Sequence, residues 1–189
     1  MISPGIEHIV FFLEGPSEQD FLKAFLPALL PEHINLHYQV FQGKQDMEKR
    51  LALRMRGWQQ ANTCFVVLRD QDSGDCIAIK NGLRHICNSA GHPNAVVRIA
   101  CRELETFFIG DWTAVAAAFE MPALAKLGSK AMYRQPDLLG SPSAELKKHI
   151  SQYQKRDGAR RIGLHLDPTR NRSKSFEVFM RSIQQIAAA

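Results

Sequence analysis

Four short runs rich in β-branched and aromatic residues constrain this chain more than anything else in it. Residues 6–13 (IEHIVFFL), 34–41 (INLHYQVF), 64–68 (CFVVL) and 95–101 (AVVRIAC) have the length and make-up of strands. Between them, apolar residues recur three and four apart, as on one face of a helix. Phe21, Leu22, Phe25, Leu26 and Leu29 follow the first run, and Ile79, Leu83, Ile86, Cys87 and Ala90 follow the third. Pro16 or Ser17 opens the first of these helices, and Pro27 kinks or splits it. Residues 44–60 read as a more polar amphipathic helix. Strand alternating with helix through the first 110 residues predicts an α/β fold: a mostly parallel, Rossmann-like sheet with helices on both faces.

The remainder reads as helical, at about 112–119, 143–155 and 175–186, with a Pro/Gly-rich connection, YRQPDLLGSP, at 133–142. These helices are too short to build a core of their own. The expectation is one domain over 1–189, with a core at about 1–120 and a helical, basic C-terminal part at about 121–189. A chain of 189 residues that is 45% hydrophobic can bury such a core. No run approaches the roughly 18 apolar residues of a membrane span. The N-terminal MISPGIEHIV has neither the basic nor the apolar region of a signal peptide, so a cytoplasmic location is expected. Cys64, Cys76, Cys87 and Cys101 show no CxxC spacing and read as reduced thiols rather than zinc ligands.

Charge is unevenly placed. Residues 151–189 hold eight Lys/Arg against three Asp/Glu, which accounts for the whole formal net charge of +5. A basic end on a neutral body suits a polyanion-binding surface, and equally a solvated helical face.

Three of the four strand-like runs end in acid. The first gives EGPSE, with Glu14 and Glu18; the third gives RDQDSGD, with Asp70, Asp72 and Asp75; the fourth gives CRELE, with Glu103 and Glu105. In an open parallel sheet the loops after the strands converge on one edge, where ligands bind. Crowded carboxylates repel unless a cation lies among them, and an all-oxygen set suits Mg²⁺ or Mn²⁺. Some of these acids have simpler roles available. Asp75 or Ser73 can cap the helix that starts near Cys76, Glu18 can complement a helix dipole, and Glu105 can sit on a solvated face.

A strand ending in Glu-Gly, followed two strands later by Asp-x-Asp, resembles the Toprim fold of topoisomerases, primases and OLD-type nucleases, and EGPSE is closest to the nuclease branch. The strings FQGK, LRDQDSGDC, VRIACRELETFFIGD, YRQPD and NRSKSF resemble a Toprim-like bacterial family of domains of unknown function, DUF4276. That resemblance spans nearly the whole chain. It implies that Glu14 is the Toprim glutamate, acting as general acid/base or metal ligand, and that Asp70 and Asp72 are the Mg²⁺-binding pair. Glu18 then matches the extra nuclease glutamate, and Glu103 completes a two-metal site, with Glu105 competing for that place. The additional domains of topoisomerases and primases are missing from the pattern, which leaves phosphodiester hydrolysis. Relatives encoded beside AAA-type or SMC-like ATPases imply an ATPase partner and a role in phage defence.

The expectation is therefore a Mg²⁺-dependent (or Mn²⁺-dependent) nuclease with Glu14, Asp70 and Asp72 in catalysis. Its substrate is nucleic acid, with DNA favoured over RNA. Lys44 would contact a scissile phosphate, and Arg160, Arg161, Arg170, Arg172 and Lys174 would grip backbone phosphates without reading sequence. The alternatives are a non-catalytic module that binds nucleic acid, nucleotide or an ATPase, and a hydrolase of small phosphorylated molecules.

Overall fold

A computed structural model describes residues 5–189. The first four residues, part of the stretch read above for a signal peptide, lie outside the described residues. The four apolar runs form β1 (His8–Leu13), β2 (Asn35–Val40), β3 (Thr63–Asp70) and β4 (Val96–Ala100). They pair in parallel in the order β2-β1-β3-β4. Connecting them are α1 (Pro16–Phe25), α2 (Lys44–Arg56) and α3 (Cys76–Ser89). The order turns back between β1 and β3, so a topological switch point lies between them, the place where open α/β sheets bind ligands.

Alternation along the strands sorts their side chains onto two faces. Ile9, Phe11, Leu13, Val66 and Leu68 join one apolar cluster, while Val10, Phe12, Phe65 and Val67 join another with Met47 and Leu51 of α2 and Leu83 of α3. The same period carries Asp70 onto the face of Leu68, and Arg69 onto the opposite face beside α2.

The first cluster also takes in the C-terminal half of the chain. There lie α4 (Glu105–Ile109), α5 (Trp112–Ala118), α6 (Pro142–His149), α7 (Lys155–Gly163) and α8 (Lys174–Ala187). Phe107, Leu146, Tyr153, Ile162, Phe176 and Phe179 are buried together with Phe21 and Leu22 of α1. Aromatic rings tie the halves, with Phe21–Phe108 centroids 5.5 Å apart and Phe107–Phe176 centroids 5.2 Å apart. Each such Phe contributes about 1.5–3 kcal/mol by leaving water. The helices beyond residue 120 therefore complete the core instead of hanging from it.

One local expectation changes, and two gain detail. The helix expected over 143–155 stops at His149 as α6, and a helix that was not expected, α7, begins at Lys155. Gly158 and Gly163 hid α7, because two glycines in nine residues lower helix propensity. Tertiary contact explains both. Gly163 lets α7 approach α1 so closely that a Cβ there would sit 3.1 Å from the Phe21 carbonyl and the Ala24 methyl. Gly158 lies against the Tyr153 ring with no room for a side chain. Pro27 does end α1, which passes at Leu26 into a single 3-10 turn, Leu26–Ala28. The connection at 133–142 is a brace: Asp137 accepts the backbone N–H groups of Lys174 (2.7 Å) and Ser175 (3.0 Å) and so caps α8. Among the described residues, no helix is long and apolar enough to cross a membrane.

Candidate functional site

β1 and β3 run in register, with Leu13 opposite Leu68, so Glu14 leaves β1 level with Arg69, and Asp70 ends β3 one position further on, both at the carboxyl edge of the sheet. Gly15 and Pro16 then turn the chain into α1 and place Glu18 in its first turn. After β2, Gly43 takes φ +89°, a conformation that favours glycine, and its N–H donates to the Glu14 carbonyl at 2.9 Å. The loops after β3 and β4 are stitched together. Gln71 N–H donates to the Ala100 carbonyl at 3.0 Å, and Asp72 N–H donates to the Arg102 carbonyl at 2.8 Å.

These elements enclose a cavity of about 280 Å³ lined by Glu14, Glu18, Asp70, Glu105 and Lys155. Glu18 and Glu105 are almost wholly buried, at 5% and 2% exposure. Burial, then the charges of Glu18, Glu105 and Glu14, holds the Asp70 carboxyl well above the usual carboxylate range. Burial, with Glu14 and Glu105 nearby, pushes Glu18 up to about 7. Glu14 is raised by burial and by Asp72, against the pull of Arg69. Glu105 is also raised by burial, while Lys155 opposes the shift.

Two cations partly offset this charge. Arg69, 6% exposed, reaches Glu48 at 2.6 Å but only faces Glu14, at 3.7 Å. Lys155, at the start of α7, reaches Glu103 at 3.4 Å and Glu105 at 3.6 Å. The Tyr153 hydroxyl donates to Glu105 at 3.2 Å. Even so, among the described residues Oε2 of Glu14, which faces Arg69 Nε, and Oδ1 of Asp70 are buried without a hydrogen-bond partner. A buried carboxylate oxygen left so is costly, on the order of several kcal/mol when charged, unless something else supplies positive charge.

The structure brings together Glu14, Glu18 and Asp70 of the expected residues. It places Asp72 at the rim, its side chain 41% exposed and paired with Lys44 at 3.0 Å. Asp72 takes φ +55° in this loop. Glu103 does not line the cavity: it accepts the N–H and hydroxyl of Ser143 at 2.8 and 2.9 Å at the start of α6, and shares Lys155 with Glu105. Glu105, second to Glu103 in the sequence reading, is the acid from CRELE that lines the cavity. Asp75 caps α3, its Oδ1 accepting Ala78 N–H at 2.7 Å. Sequence reasoning missed Lys155, Tyr153 and Arg69 as neighbours of the acids, and nothing in local spacing signals them.

The basic C-terminal residues have partners inside the protein. Arg160 and Arg161 pair with Asp157, and Arg161 also lies over the Phe119 ring at 4.5 Å. Arg170 pairs with Asp111 and Asp167, Arg172 donates to the Gly128 carbonyl, and Lys174 pairs with Glu177. Much of the +5 tail is thus spent on neighbouring acids and carbonyls.

Among the described residues, no group of three or more His, Cys, Asp or Glu side chains is gathered closely enough to hold a metal ion. The donors nevertheless fit Mg²⁺ or Mn²⁺ in kind: all are oxygens, two are buried and unpartnered, and their charge is incompletely balanced.

A four-stranded parallel sheet, helices on both faces and acids at the switch point define an open, parallel α/β domain. The chain belongs to the family described as Domain of unknown function (DUF4276), which matches residues 13–184. Among solved structures it is similar to the C-terminal region of the Burkholderia pseudomallei OLD protein. The two share 16% identity with a TM-score of 0.57, over 95% of this chain and 97% of that one. At that identity the likeness carries the fold alone. No curated protein matches the chain.

Proposed function

We propose that this protein is a Mg²⁺- or Mn²⁺-dependent nuclease that hydrolyses phosphodiester bonds. The observation that carries the reading is that Glu14 and Asp70, at the ends of adjacent strands, line one cavity and each keep a buried oxygen without a hydrogen-bond partner. Glu14, Glu18, Asp70 and Glu105 would hold the cation, with Asp72 at the rim. A divalent ion so held supplies Lewis acidity and lowers the pKa of water. Burial raises the proton affinity of Glu14 above that of an ordinary carboxylate, the direction a general acid/base needs. Lys155 brings a fixed positive charge to the cavity wall, and Lys44 stands near its mouth beside Asp72, where a phosphate would approach. An ATPase partner and a role in phage defence belong to the same proposal and rest on the family resemblance.

Calorimetric titration with Mn²⁺ should show binding that Asp70→Asn abolishes. Glu14→Gln should keep the fold while lowering plasmid nicking by about 10²- to 10⁴-fold, the usual contribution of general acid–base catalysis. The looseness of the acidic cluster favours one rival, a Toprim-like module that binds without cutting. Wild-type protein that is inert on DNA, RNA and small phosphoesters with Mn²⁺, and with a neighbouring ATPase supplied, would sink the nuclease reading and favour that rival.

A further inference from the structure

A second cleft lies one strand further out along the sheet, around the free edge of β4. It measures about 240 Å³ and is walled by Ile99, Cys101 and Val178, with Lys80 of α3, Arg98 of β4 and Lys174 of α8 around it. Unlike the tail cations, Lys80, Arg84 and Arg98 form no ion pair among the described residues. Arg98 bonds only neutral groups, the Ser182 hydroxyl at 2.7 Å and its own strand's Val97 carbonyl at 2.7 Å. Lys80 and Arg98 line the cleft, and Arg84 stands one turn beyond Lys80 on α3. Burial lowers the affinity of Lys80 and Arg98 for their protons, and the neighbouring guanidinium groups lower it further. The nearest carboxylate lining the cleft, Asp137, is already taken up by Ser173, Lys174 and Ser175 at the start of α8.

Two features say what kind of anion would relieve this. The cleft wall is apolar, and burial pushes the Cys101 thiol up to about 11, so that wall stays neutral. Its volume lies below the roughly 300–1,000 Å³ of drug-sized pockets and suits a single flat ring. Beside it, Ile77, Lys80 and Arg84 share one face of α3 at i, i+3 and i+7, with Ile77 71% exposed. An apolar slot next to unpaired cations matches a ring joined to a phosphate.

We infer that this cleft binds a nucleoside phosphate, with the base against Ile99, Cys101 and Val178 and the phosphate held by Lys80, Arg84 and Arg98. The ligand is either a nucleotide within a single strand or a free nucleotide. The cleft opens at the same sheet edge as the acidic cavity, since Cys101 follows β4 as Asp70 ends β3. The inference concerns binding and is independent of cleavage.

The test is fluorescence anisotropy of a labelled single-stranded oligonucleotide with the full-length protein in EDTA, across a salt series. Lys80→Glu combined with Arg84→Glu changes exposed or partly exposed helix positions and should preserve the fold. Loss of this one phosphate contact should flatten the log–log salt slope by about 0.7. Val178→Phe should weaken binding while leaving that slope unchanged. Competition by a nucleoside monophosphate as effective as by unlabelled strand would assign the free nucleotide; weaker competition would assign the strand. No binding by wild type would overturn the inference. So would a double variant with the wild-type slope, a Val178→Phe variant with full affinity, or inorganic phosphate competing as well as the nucleotide.

Discussion

Glu18 and Asp70 are carboxyls whose surroundings oppose their ionisation, and this links the candidate site to stability. In the unfolded chain both ionise in the ordinary carboxylate range, whereas folded Glu18 keeps its proton up to about pH 7. The unfolded state therefore binds fewer protons over that window, so metal-free stability must fall as pH rises through it. For Glu18 the loss is on the order of 2–3 kcal/mol. Thermal unfolding in EDTA should show a Tm that falls from about pH 5 to about pH 7.5, with Glu18→Gln flattening the decline. Mn²⁺ added at the upper end should raise Tm again by binding the folded state. A pH-independent Tm that ignores Mn²⁺ would contradict an uncompensated acidic cavity. At this scale Glu14, Glu18 and Asp70 were legible, because each follows closely on an apolar run and strand ends can be read locally. Lys155 was not, because its neighbours Glu103 and Glu105 lie about fifty positions away.

Of the elements, α7 links core to site most directly. Its first residue, Lys155, lines the cavity; its small residues let it lie close on α1; and Gly158 leaves room for the Tyr153 ring that reaches Glu105. Ala is the better helix former by about 1 kcal/mol. Gly158→Ala should nevertheless destabilise the protein by about 1–3 kcal/mol, since its methyl overlaps the buried Tyr153 ring. Urea unfolding would measure this, and a neutral or stabilising result would mean that the ring yields freely. The strands and α2, α3, α5 and α8 were visible as periodic patterns. α7 offers only Ala159 and Ile162 as buried side chains beyond glycine, too few to print a helical stripe.

For the whole molecule, the decisive fact is that one apolar cluster runs from Ile9 to Ile186. A chain ending at residue 120 would lose Leu146, Tyr153, Ile162, Phe176 and Phe179, exposing Phe21, Phe107 and Phe108 to water. Residues 1–120 alone should therefore give poorly dispersed NMR spectra and no cooperative thermal transition. A well-dispersed, cooperatively melting fragment would mean that the C-terminal helices are dispensable to the core.

The sequence by itself determined the strands, the parallel α/β class and the delivery of acids to one sheet edge. All three follow from periods of two and 3.6 residues and from short-range chain geometry. Only the tertiary structure decided that Glu105 faces the cavity while Glu103 turns to Ser143. The two lie two positions apart, and the choice depends on how α4 is seated by Phe107 and Phe108 against the rest of the core. It likewise decided that most of the tail's arginines meet acids of their own chain, whereas Lys80, Arg84 and Arg98 meet none among the described residues. Net charge is additive along a sequence, but pairing depends on distances that folding alone sets.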